Sequence, residues 1–165
     1  MRPALVAVTG SAAATRELAG AVAGLCGAGD IVALAGELGS GKTVWVQGFA
    51  RGLGVDEPVT SPTFTLLRPY RGRKLMLLHA DLYRLDRLSE VVDLALLEQL
   101  DERAVACIEW ADLAEAVLPA DRLDVHLDYG EEEHERVIVV RQVGARWAAR
   151  AEELERALSP WLSTR

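Results

Sequence analysis

Gly36, Gly39, Gly41, Lys42 and Thr43 have the spacing of a phosphate-binding loop: a glycine, four residues, then Gly-Lys-Thr. The glycines let the backbone curl so that successive N–H groups point inward and cradle phosphate oxygens. A helix starting at the loop adds the positive end of its dipole. Lys42 is placed to reach β- and γ-phosphates, and the Thr43 hydroxyl suits the oxygen shell of Mg²⁺. Two acids complete the set. Asp81 and Glu109 each follow an apolar run, Leu75–Leu78 and Ala104–Ile108. Ligands of open α/β sheets sit at the carboxyl ends of the strands. A P-loop ATPase needs an acid there, for the metal or for the attacking water. Both assignments of the two acids fit the spacing.

These residues need particular elements to hold them. Ile31–Ala35 reads as a buried strand entering the loop, and Trp45, Phe49 and Leu53 put one apolar face on the helix that leaves it. Leu5–Val8 reads as an edge strand. Ala12 to Leu25 reads as a helix, with Thr15 capping it or beginning its regular part, and Gly27 and Gly29 ending it. Pro58 and Pro62 forbid a regular helix between them, and Phe64 onward reads as a strand. Taken alone, the hydroxyl-rich stretch Thr60–Thr63 is a Thr/Pro turn, although it could also touch a γ-phosphate or its metal. If the chain stays extended past Leu78, His79, Asp81 and Tyr83 project to one side. Ser89 to Gln99 is an amphipathic helix. Leu123–Asp128 and Arg136–Val140 form an antiparallel hairpin whose acidic tip is solvated. Trp147 to Leu158 is one C-terminal helix, ending before Pro160.

Residues 1–165 are read as one domain with a sizeable core. A net charge of −7 argues against binding nucleic acid through bulk electrostatics. No apolar run approaches a membrane span, no signal peptide is evident, and Cys26 and Cys107 show no metal spacing. The expectation is a cytoplasmic protein with buried free thiols and no membrane contact.

GELGSGKT (36–43), TSPTF (60–64), HADLYRL (79–85) and IEW (108–110), followed by Leu118-Pro119, stand in one order along the chain. In this order and spacing they resemble the bacterial TsaE (YjeE) family, the ATPases of tRNA threonylcarbamoyladenosine biosynthesis. The resemblance covers about residues 10 to 130. It implies a three-layer P-loop α/β domain with a mixed, partly antiparallel sheet flanked by helices. It also implies ATP or ADP with Mg²⁺ as cofactors, and slow ATP hydrolysis. The implied partners are the two proteins of an ASKHA-type threonylcarbamoyl transferase complex (TsaB/TsaD type). That complex modifies adenosine 37 of tRNA, which the ATPase would meet only through it.

Carried over by motif, Glu37, Leu38, Gly39, Ser40, Gly41, Lys42, Thr43 and Val44 surround the nucleotide. Thr43 with Glu109 serves the metal, and Asp81 is the catalytic or water-positioning acid. Ser61 and Thr63 belong to a mobile switch loop, which reverses the plain-turn reading, and Trp110 lies near the nucleotide. Glu37, Val44 and Ala80 depart from the family pattern, and Val44 removes a hydroxyl that could touch the α-phosphate. A switch GTPase is disfavoured, because guanine reading uses an Asn-Lys-x-Asp motif and this chain has no asparagine. A small-molecule P-loop kinase, with Asp81 as base for a substrate hydroxyl, is the rival reading.

Overall fold

The structure is a computed structural model, which describes residues 2–62, 67–83, 98, 100 and 103–164. Strand β2 (Ile31–Ala35) and strand β5 (Ala104–Glu109) are almost wholly apolar, and they lie at the centre of the sheet. A strand buried on both faces requires that composition. β5 runs parallel to β4 (Met76–Asp81), and β2 runs parallel to both β5 and β6 (Arg122–Tyr129). The flanks turn antiparallel. β3 (Leu67–Arg71) pairs with β4, β7 (Arg136–Val143) with β6, and β1 (Leu5–Thr9) with β7. Among the described residues this makes one seven-stranded sheet in the order β1-β7-β6-β2-β5-β4-β3.

Alternation along the strands builds two apolar faces. Val32, Leu34, Val105, Cys107 and Val125 pack against helix α1 (Ala12–Ala23), helix α2 (Lys42–Gly52) and helix α4 (Ala151–Leu158), through Leu18, Val22, Trp45, Phe49, Leu154 and Leu158. Ile31, Ala33, Leu78, Ala80, Ala106 and Ile108 form the other face, which Ala111 and Ala114 of a 3-10 segment, Ala111–Val117, approach. α1 and α2 cross closely because Gly48 leaves no side chain where the Arg16 backbone passes.

Two expected elements differ. α1 is capped by Ser11, and Thr15 begins its regular part: extended Ser11 accepts the Ala14 N–H at 3.0 Å, and the Thr15 N–H bonds Ser11 O at 3.1 Å while its buried hydroxyl meets Thr9 at 2.7 Å. The helix closes at Gly24, before Gly27 and Gly29, through tight bonds from Leu25 to Val22 and from Cys26 to Ala23. The C-terminal helix is two pieces, α3 (Ala145–Ala148) and α4, broken where Arg150 leaves helical geometry (φ −105°, ψ 14°) and reaches Asp30. The expected helix from Ser89 to Gln99, the strand start at Phe64 and the site residue Thr63 lie outside the described residues.

Candidate functional site

The carboxyl ends of β2, β4 and β5 meet at one cavity of about 400 Å³, lined among others by Gly39, Gly41, Lys42, Thr43, Ser61, Asp81, Glu109 and Trp110. β2 delivers the chain to the glycine loop. Gly39 (φ 80°) and Gly41 (φ 107°) take left-handed conformations that L side chains resist. Gly41 is the N-cap of α2 and makes no side-chain cap bond. The first N–H groups of that helix therefore keep the anion-binding capacity of an open helix start. Leu38 and Val44 also line the cavity. Glu37 does not line it: its side chain is exposed, and its carbonyl accepts from Lys42. Ser40 is fully buried beneath the loop, with no hydrogen-bond partner for its hydroxyl.

Lys42 is almost wholly buried. Its ammonium donates to Gly36 O at 2.6 Å and Glu37 O at 2.8 Å, and sits 3.9 Å from the centroid of the Trp110 ring. Burial lowers its pKa from the ordinary lysine value, against an upward pull from Glu109, Asp112 and Asp81. Trp110 is the single non-glycine residue with positive φ (58°) among the described residues, and its ring stands 4.8 Å from that of Tyr83.

The two acids are neighbours, since Asp81 of β4 is in register with Glu109 of β5. Their surroundings differ. Glu109 is buried and accepts the Thr43 hydroxyl, at 2.9 Å to Oε1, and the His79 ring, 2.5 Å from Oε2. Asp81 is half-buried. It accepts the Ser61 hydroxyl at 2.7 Å and the Tyr83 N–H at 3.0 Å. That second bond closes a turn, so Tyr83 leaves the strand line instead of extending it. Among the described residues no three His, Cys, Asp or Glu groups converge on one point. One carboxylate and one hydroxyl are a sparse oxygen set of the kind that suits Mg²⁺, which keeps most of its waters.

Sequence reasoning missed the support behind the loop. Tyr129, at the end of β6, donates its hydroxyl to Leu38 O at 2.6 Å, and Arg136 Nε donates to Ser40 O at 3.1 Å while stacking on the Tyr129 ring. Both contacts span more than ninety positions, 91 and 96 respectively, and no local motif announces them. Asp112 and Tyr83 also went unassigned, although Tyr83 stands inside a quoted motif.

The family described as "Threonylcarbamoyl adenosine biosynthesis protein TsaE" matches residues 9–138. The chain is 40% identical over 142 residues to the tRNA threonylcarbamoyladenosine biosynthesis protein TsaE of Bacillus subtilis, covering 86% of this chain and 88% of that protein. It is 42% identical over 139 residues to the protein of the same name from Streptomyces coelicolor, covering 81% and 93%. The crystal structure of Bacillus subtilis YdiB superposes with a TM-score of 0.75 at 34% identity, covering 94% of this chain and 97% of that one. With Lys42, Thr43, Ser61, Asp81, Glu109 and Trp110 of the family's motifs gathered around one cavity, and its match running from the end of β1 to the start of β7, the chain belongs to the TsaE family.

Proposed function

We propose that this chain is a Mg²⁺-dependent ATPase that serves the threonylcarbamoyl modification of tRNA adenosine 37. It works in the cytoplasm, with a two-protein ASKHA-type complex of the TsaB/TsaD kind, and meets tRNA only through that complex. The observation that carries the reading is the convergence of Lys42, Thr43, Asp81 and Glu109 on one cavity at the carboxyl ends of parallel strands.

The loop glycines and the open start of α2 hold the phosphates. Lys42 exchanges one of its loop carbonyls, Gly36 O or Glu37 O, for a phosphate oxygen. The Thr43 hydroxyl donates its hydrogen bond to Glu109, which leaves its oxygen lone pairs for a cation. Thr43 and Glu109 would hold Mg²⁺, which would supply neutralisation of the phosphate charge when bound. Asp81 accepts from and orients the attacking water, and its bond to Ser61 ties that task to the stretch at 60–62. Trp110 and Tyr83 wall the cavity on the side of Lys42.

Lys42 is the single cation among the described residues that line the cavity. Charge developing on the γ-phosphate is then poorly balanced, and a supplied arginine is worth roughly 10³–10⁵ in rate. Turnover is therefore slow alone and rises in the complex. Phosphate release, measured with and without the two partner proteins and tRNA, tests this. Stimulation by the partners is expected. Transfer of the phosphoryl group to a metabolite, or turnover indifferent to the partners, would overturn the reading.

A further inference from the structure

His79 is fully buried on β4, one strand away from Glu109 on β5, and its Nε2 lies 2.5 Å from Glu109 Oε2. Its other nitrogen, Nδ1, is buried with no hydrogen-bond partner. The ring's polarity is thus spent on a single contact. A carboxylate only accepts, so Nε2–H donates and fixes the ring tautomer. Glu109 in turn accepts the Thr43 hydroxyl at 2.9 Å through Oε1 and at 3.1 Å through Oε2. Two donors from two elements, β4 and the first turn of α2, hold one carboxylate and leave it no free rotation. An apolar side chain at 79 would fit the packing of a buried strand without leaving a nitrogen unpartnered. The feature that the imidazole adds is the orientation of Glu109.

We propose that His79 is a positioning residue for the cation site, holding Glu109 so that its carboxylate and the Thr43 hydroxyl present their oxygens together. This rests on the reading of Thr43 and Glu109 as the Mg²⁺ pair. Carboxylate-to-imidazole contacts behind a metal ligand set the ligand's orientation, and removing such a partner typically lowers metal affinity about 10–100-fold. His79 does not line the cavity, so it touches neither nucleotide nor cation and acts only through Glu109.

The test is calorimetric titration of the β,γ-imido analogue of ATP, with Mg²⁺ and with EDTA, into the parent, Glu109→Gln, His79→Phe and His79→Gln. His79→Phe keeps a planar aromatic ring, somewhat larger than imidazole, and deletes the donor, while the side-chain amide of His79→Gln can still donate. The expected result is near-parental affinity in EDTA for His79→Phe, with the gain on adding Mg²⁺ reduced about 10–100-fold. His79→Gln should recover most of that gain, which a merely structural histidine would not require. A parental Mg²⁺ gain in His79→Phe, or equal losses in both variants, would overturn the proposal. Glu109→Gln separates the two failures. If it loses the Mg²⁺ gain while His79→Phe keeps it, only the role of His79 fails. If Glu109→Gln keeps the gain, the Mg²⁺ assignment fails and the role of His79 falls with it. Should His79→Phe not fold, ¹⁵N-histidine NMR of the parent decides. A protected Nε2–H that persists in the Mg²⁺-analogue complex supports the proposal, and its loss on binding refutes it.

Discussion

Lys42 carries the largest electrostatic tension in the site. It is held as a cation in a buried place, where desolvation lowers its pKa and three carboxylates pull it back up. Between that lowered value and the ordinary 10.5, the unfolded chain binds more protons at this group than the folded one does. Lys42 therefore adds stability as pH rises through that window and costs stability below it. Phosphate oxygens favour the ammonium, so nucleotide binding at a pH inside that window should take up protons. Calorimetry in buffers of different ionisation enthalpy would read that uptake. Lys42→Ala should abolish it and remove most of the affinity for ATP. The two acids divide differently. Asp81 is bonded to a loop hydroxyl and a turn N–H, whereas Glu109 is bonded to Thr43 and His79. Asp81→Ala should leave Mg·ATP binding largely intact while abolishing hydrolysis in the partner-bound state. A matching loss of Mg²⁺ dependence in Asp81→Ala and Glu109→Ala would contradict the division.

At the scale of elements, the β6–β7 hairpin is a brace for the phosphate loop. A Cβ on Gly39 would lie 2.8 Å from the Tyr129 hydroxyl, and the backbone there has φ 80°. Gly39→Ala therefore combines backbone strain, about 1–2 kcal/mol, with a clash. Tyr129→Phe removes the clashing oxygen but leaves the strain. A double-mutant cycle in nucleotide affinity should show partial rescue of Gly39→Ala by Tyr129→Phe, and strict additivity would show that the brace does not bear on the loop. Much of the fold was legible because its signals are local. The apolar runs of β2, β4 and β5 are buried strands, the four-residue spacing of Trp45 and Phe49 is the buried face of α2, and the hairpin of β6 and β7 pairs as expected. Motif order brought Lys42, Thr43, Asp81 and Glu109 to one cavity. The brace was not legible, because Tyr129 reads as an ordinary residue at the end of an amphipathic strand. Of the two readings of Thr15, the structure takes the one in which it begins the regular part of α1, while Ser11 is the cap. The break before α4 has no glycine or proline to mark it, since Arg150 bends the chain to meet a partner 120 positions away.

That partner ties the molecule together at the end opposite the cavity. Asp30, at the entry to β2, is buried and takes a two-pronged bond from Arg150, at 2.7 and 2.9 Å, as well as the Gly27 N–H at 2.7 Å. Arg150 also donates to Leu25 O at 2.9 Å and stacks 3.9 Å over Trp147. One guanidinium thus joins the end of α1, the start of the central strand and the C-terminal helices. Arg150→Ala would leave a buried carboxylate with the Gly27 N–H and a longer Arg146 contact at 3.3 Å. The loss should be about 3 kcal/mol, at the lower end for a broken buried pair. Urea unfolding would measure it, and nucleotide affinity should stay near parental because the cavity lies at the other end of β2.

The strand order has a consequence for how the chain comes into being. β2 is made early, yet its two neighbours are β5 and β6, with Val32 lying beside Cys107 on one side and Leu123 on the other. Leu38 waits for Tyr129, 91 positions later. Until that length has left the ribosome, the strand that carries the phosphate loop has two open edges and an apolar surface on both faces. Such segments invite mispairing and chaperone capture during synthesis. The site with the clearest local signature in the sequence is therefore among the last parts of the molecule to become structure.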